Sequence, residues 1–188
     1  MSETKLQPQA KRQKSLTTRR IVMAGVFGAI CVVLGITGLG LIPVPNLSGY
    51  ATILHLPVII AGVLEGPLVG AFTGLIMGLY SFITPGAIPP DPIVCFIPRV
   101  LIGIVSAYVY RFVGKNHPLI GAGLAGILGT LTNTIGYVGL AVLMGYFPSA
   151  IWIAILPQAT VELILATVLT VALVRVIQRA IPTYRQQR

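Results

Sequence analysis

Charge is what this sequence has least of. Lys, Arg, Asp and Glu together make up 9% of its 188 residues, where a soluble domain carries about 25%. Acidic groups are scarcest, four against thirteen basic ones, and no segment is long and polar enough to fold as a soluble domain. Cysteine is nearly absent as well. Cys31 and Cys95 lie inside separate hydrophobic runs and form no C-x-x-C pair, so they read as small apolar packing residues and not as a disulfide or metal site. The phosphate-binding pattern G-x-x-x-x-G-K-[ST] is missing, since Gly114-Lys115-Asn116 has neither the leading glycine nor the Ser/Thr. G-x-S-x-G and H-E-x-x-H are missing too, and no carboxylate dyad stands beside a nucleophile. Enzymatic chemistry, a metal and a cofactor are therefore not expected, and the chain has no visible means of hydrolysing ATP.

What is present is apolar. Hydrophobic residues make up 55% of the chain, and mean hydropathy is +0.91. A bilayer core of roughly 30 Å needs about 20 apolar residues per helix. Six hydrophobic segments stand out, at about Arg20–Leu41, Ala51–Leu64, Pro67–Ile83, Pro92–Val113, Leu119–Leu143 and Ser149–Ala180. Pro- and Gly-containing clusters separate them. The expected fold is an all-α integral membrane protein, a six-transmembrane-helix bundle over 20–181. A disordered basic tail at 1–19 and a short tail at 182–188 flank it. The run Ile21–Ile42 is too long for the apolar region of a signal peptide, and no A-x-A-like cleavage site follows it.

Basic residues set the orientation. Lys5, Lys11, Arg12, Lys14, Arg19 and Arg20 precede the first segment, Arg111 and Lys115 lie between the fourth and fifth, and Arg175, Arg179, Arg185 and Arg188 end the chain. Six passes put all three groups on one side, which the positive-inside rule assigns to the cytosol with both termini. The net charge of +9 thus reads as topology. Nucleic-acid binding would need one soluble basic face with aromatic partners.

Ionisable groups within the bilayer are costly and usually functional. Arg99 lies in the fourth segment, Glu162 in the sixth, His55 in the short second one, and Asp91 just before the fourth. Pro98 and Pro157 are expected to kink two helices in the outer half of the membrane. The splay would leave a cavity lined by Arg99, Gln158, Glu162 and Asn133, suited to a small molecule. Arg99 and Glu162 are also candidates for a buried pair with each other. A proton path through Asp91, His55 and Glu162 is the alternative that would make the chain a self-sufficient ion-coupled carrier. Small residues recur at four-residue spacing: Gly66, Gly70, Gly74 and Gly78 in the third segment, and Ala24 and Gly28, with Gly25 and Ala29 beside them, in the first. Such stripes let helices approach closely, within the chain or against another subunit.

Three stretches carry a resemblance: Ala51-Thr52-Ile53-Leu54-His55-Leu56-Pro57, then Gly66-Pro67 with its glycine ladder, and Asp91 to Gly103 with its Pro98-Arg99-Val100-Leu101-Ile102-Gly103 element. Together they resemble the substrate-binding S components of energy-coupling factor vitamin transporters, from Arg20 to about Arg179. The resemblance implies a six-helix subunit in a prokaryotic plasma membrane that binds a vitamin near the outer face. It also implies partners: a transmembrane scaffold subunit and two cytosolic ATPase subunits. Docking on the scaffold would fall to Ala24, Gly28 and Val32. Substrate binding would fall to Asn46, Tyr50, His55, Asp91, Arg99, Asn133, Gln158 and Glu162. The wording is most similar to pantothenate-type members, with hydroxymethylpyrimidine and folate types nearby. An arginine in a low-dielectric pocket suits a carboxylate, which pantothenate and folate carry.

Overall fold

The computed structural model describes residues 18–43, 50–84 and 89–180. Most of the two tails, Asn46, and the middle of the loop before Asp91 lie outside the described residues. The elements are α1 (Thr18–Ile36), β1 (Leu41–Pro43), β2 (Tyr50–Thr52), α2 (Leu56–Glu65), α3 (Pro67–Ile83), α4 (Pro92–Val113), α5 (Pro118–Leu143), α6 (Ile151–Ala154) and α7 (Leu156–Ala180). Four of them, α1, α4, α5 and α7, are long and apolar enough to cross a membrane, while α2 and α3 are shorter.

Proline punctuates the bundle. Helices α2 to α5 each carry one at the first or second position, where the missing N–H has no partner to lose. Pro157 belongs to this group: it is the second residue of α7 and opens that helix, where a kink inside a longer one was expected. Among the described residues Pro98 alone sits within a helix, α4.

The second segment also differs from expectation. Its first two residues pair as strand β2 with β1, Leu41 opposite Thr52 and Ile42 opposite Ala51, so the fold is mostly helical with one antiparallel hairpin. A helix begun at Ala51 would require Pro57 to donate to the Ile53 carbonyl, and proline cannot. The ten residues of α2 rise only about 15 Å. Helix α2 is nevertheless the hub of the bundle, touching α1, α3, α4, α5 and α7, and Leu56 to Val63 are all buried. Protein, not lipid, surrounds it, which is the setting in which a short span is tolerated.

Glycine sets the spacing. Gly66 alone links α2 to α3, at φ 97°, a conformation L side chains rarely adopt. A Cβ on Gly62 would strike the Gly103 carbonyl, and one on Gly70 or Gly103 would strike the other's backbone. Helices α2, α3 and α4 therefore cross at Gly62, Gly70 and Gly103. Further along α3, Gly74 meets the backbone of Arg99 and Gly78 meets that of Cys95 and Phe96, so the α3 ladder packs within this chain. Large residues such as Leu79, Leu101, Ile135 and Ile164 lie outside, and Ala61, Thr73, Ser106 and Ala125 lie inside. Small residues within and branched ones without suit helices that associate in lipid.

Candidate functional site

Arg99 and Pro98 explain each other. In a regular helix the Val94 carbonyl would accept from the nitrogen four residues on, which is Pro98 and carries no hydrogen. Arg99 Nη1 donates to that carbonyl at 2.8 Å and restores the lost bond. Pro98 itself packs on Gly136 of α5. The guanidinium lies over the Tyr137 ring, its carbon 4.3 Å from the centroid, a cation–π contact strengthened by the absence of water. Arg99 is 7% exposed, and its Nε is buried with no hydrogen-bond partner.

No ion pair forms between Arg99 and Glu162. Glu162, buried on α7, accepts from the Thr52 backbone N–H at 2.7 Å and from Gln158 Nε2 at 2.9 Å. The carboxylate thus ties the hairpin to α7, with Gln158 one turn before it. A buried carboxylate requires such donors, since leaving one unsatisfied costs several kcal/mol, to order of magnitude.

His55, at the N-terminus of α2, is fully buried, and its Nε2 lies 3.1 Å from Thr130 Oγ1 on α5. Its Nδ1 has no partner, and neither has Asn133 Oδ1. Asn133 stands one turn from both Thr130 and Tyr137 on α5, so His55, Thr130, Asn133, Tyr137 and Arg99 form one neighbourhood where α2, α4 and α5 meet. Three polar atoms there are buried and unspent: an arginine Nε donor, a histidine Nδ1 that can donate or accept, and an amide oxygen acceptor. Buried polar groups are nearly always paired, and these three are not.

Asp91 reaches that neighbourhood through Val94, whose N–H it accepts and whose carbonyl Arg99 holds. It caps α4, its Oδ1 accepting from the backbone of Ile93 at 2.8 Å and of Val94 at 3.2 Å, while Oδ2 accepts from Tyr146 Oη at 3.0 Å. The Val94 N–H, the Tyr146 hydroxyl and the Ile93 N–H hold its carboxyl below the usual carboxylate range, against a smaller opposing effect of burial. Asp91 in turn raises the Tyr146 phenol. The geometry gives Asp91 a fastening role, joining the α4 start to the segment after α5. Tyr50 lies on β2 beside Pro43, half-exposed. Sequence reasoning passed over Tyr137 and Thr52. Tyr137 was findable as the residue one turn beyond Asn133, whereas Thr52 acts through its backbone and leaves no trace in side-chain identity.

The small residues of the first helix lie on two faces. Ala24 is buried against Ala61 and Val69, and a Cβ on Gly28 would strike Ile76. Val32 is partly covered in the groove between α1 and α3. The small residues on the open side are Gly25, with nothing within 4 Å of its Cβ position, and Ala29, which is exposed.

A bundle of long apolar helices, with small residues inside and large branched ones outside, defines a membrane protein. The family model described as ECF transporter, substrate-specific component, matches residues 19–174, and the chain belongs to that family. It is 31% identical over 189 aligned positions to the pantothenic acid transporter PanT of Lactococcus lactis subsp. cremoris, covering 85% of this chain and 94% of that protein. It is 33% identical over 141 positions to the pantothenate transporter PanT of Leuconostoc mesenteroides, covering 67% and 69%. Its fold is similar to the solved structure of ThiT from Listeria monocytogenes, with TM-score 0.59 at 17% identity over 88% of this chain and 96% of that one.

Proposed function

We propose that this chain captures pantothenate at the outer end of the bundle and hands it inward with a transmembrane scaffold subunit and two ATPase subunits. The observation that carries this reading is the trio of buried, unspent atoms at Arg99, His55 and Asn133. Pantothenate offers a carboxylate to the arginine, and an amide and hydroxyls to the histidine and asparagine. The names of two relatives, both pantothenate transporters, support the same substrate. Asp91, His55 and Glu162 each bond to a different element, which favours capture over a shared proton path.

In this reading all six helices of ten or more residues pass through the membrane, both termini are cytosolic, and the membrane is the plasma membrane of a prokaryote. Docking on the scaffold uses the open stripe of Gly25 and Ala29, one residue out of register from Ala24 and Gly28. Gly25→Trp together with Ala29→Trp is expected to leave pantothenate binding intact and abolish energised uptake. Loss of binding in that variant would instead assign the stripe to internal packing.

The direct test is titration of the purified protein by Trp152 fluorescence. Pantothenate is expected to bind at least about tenfold tighter than the analogue with an alcohol in place of its carboxylate, given the worth of a charge-assisted hydrogen bond. Equal affinities would overturn the role of Arg99, and no response to either, checked by calorimetry, would overturn the substrate.

A further inference from the structure

The opposite end of the bundle holds a second polar feature with no part in the capture site. Helix ends there surround an open cavity of about 590 Å³. Arg20 reaches it from α1, and Arg111 and Lys115 from the end of α4 and the turn after it. Its one carboxylate, Glu65, is already bonded to Arg19 at 2.8 Å. Among the described residues Arg20, Arg111 and Lys115 make no ion pair, so three cations face one cavity whose one carboxylate is bonded to a fourth, Arg19.

The cavity is built, not a gap between loops. Gln178 Nε2 donates to Tyr110 Oη at 2.6 Å, fastening α7 to α4 along its wall. A Cβ on Gly121 would strike Gly114, so the α4–α5 turn is pinned and fixes where Lys115 stands. Gly62 and Gly66 contribute backbone without bulk. The first turn of α3, through Pro67 and Leu68, opens on the same space and adds the positive end of its helix dipole.

Two guanidinium groups and an ammonium converging on one cavity match the chemistry of a phosphate. Arginine binds its oxygens in bidentate fashion and lysine adds a point charge. The setting selects the source. The cavity lies where helices end, and its rim includes Leu68, 41% exposed. Phe112, next to Arg111, is 77% exposed. A phosphate held there would have its acyl chains beside apolar surface. Basic pockets between membrane helices on the cytoplasmic side commonly take anionic headgroups. We propose that this cavity binds the phosphate of an anionic phospholipid from the inner leaflet. The leaflet rests on the orientation given above; the binding chemistry does not.

The test uses the full chain in nanodiscs of phosphatidylcholine, with and without phosphatidylglycerol, followed by thermal melting and by native mass spectrometry of retained lipid. The triple variant Arg20→Gln, Arg111→Gln, Lys115→Gln is compared with the double variant Arg175→Gln, Arg179→Gln, which removes charge from α7 outside the cavity. Phosphatidylglycerol is expected to raise Tm in the wild type and the double variant. The triple variant is expected to lose that rise, with affinity for the lipid falling about a hundredfold, as expected of three cations near an anionic surface. Equal rises in all three proteins, or no rise in any, would overturn the proposal. A triple variant that melts lower in phosphatidylcholine alone would be replaced by Lys115→Gln, for which a smaller loss of the same sign is expected. Inorganic phosphate added to phosphatidylcholine discs forms a separate arm, and a rise from it equal to that from the lipid would overturn the lipid source. Pantothenate titration of the same samples reports the capture site independently, so either reading can fail alone.

Discussion

The two ends of this bundle handle charge in opposite ways. At the end near β1 and β2, the charged groups each have specific neighbours: Glu162 has Thr52 and Gln158, Arg99 has Val94 and Tyr137, and Asp91 has the start of α4 and Tyr146. At the far end Arg20, Arg111 and Lys115 stand around an open cavity whose one carboxylate, Glu65, is bonded to Arg19. Polar groups buried in a bundle must be satisfied within the protein, so each becomes part of the architecture. Polar groups at its rim can leave their charge to the surroundings, so they remain available to molecules from outside. A carboxylate therefore carries different weight at the two ends, although the residue type is the same.

That contrast can be broken most severely where the ends meet. Gly103→Ala places a methyl against the backbone of Gly70 and is expected to cost about 3 kcal/mol through overpacking, lowering the melting temperature and weakening both sites together. Next in size is Glu162→Ala. It strips the half-buried Thr52 N–H and Gln158 amide of this charged acceptor, and is expected to destabilise by about 2 kcal/mol, with faster hydrogen exchange at Thr52. The matched change at the other end, Glu65→Ala, removes a pair whose arginine is 45% exposed and is expected to cost about 1 kcal/mol or less. Equal effects from the two glutamates in the same thermal assay would erase the distinction.

The smallest expected effect depends on pH. The Asp91 carboxyl is held below its usual range by the Val94 N–H, with Tyr146 and Ile93 adding to it. Its contribution to stability is therefore complete above the unfolded carboxyl value of about 3.9 and fades as pH falls through the lower folded value. Acid titration followed by Tm should show that loss in the wild type and a flatter profile in Asp91→Asn. Tyr146→Phe should remove part of the same slope.

The residue pattern foretold much of the fold and less of the site. Long apolar runs and the prolines that open helices marked α3 and α4 almost to the residue, because both signals act along a single helix. The hairpin was hidden because Ala51 and Thr52 are as compatible with a helix as with a strand, and the veto by Pro57 acts six residues away. Spacing revealed that α1 carries small residues, but could not say that Ala24 and Gly28 turn inward while Gly25 and Ala29 turn out. That choice is made by Val69 and Ile76 on another helix. Arg99 was found through its motif. Its bond to Val94 follows from Pro98 by geometry, whereas its contact with Tyr137 depends on how α5 lies against α4.

The single-residue link at Gly66 bears on how the protein is made. In the six-pass reading proposed above, helix α2 is too short to be held across a bilayer on its own and enters together with α3 as one folded-back unit. Helix α4, which supplies Gly103 to close against both, leaves the ribosome later. Until it arrives, the helical pair has no cover over the backbone at Gly62 and Gly70, and His55 must wait longer still for Thr130. The central helix of the finished bundle is thus threaded in early and enclosed only as the later helices assemble around it.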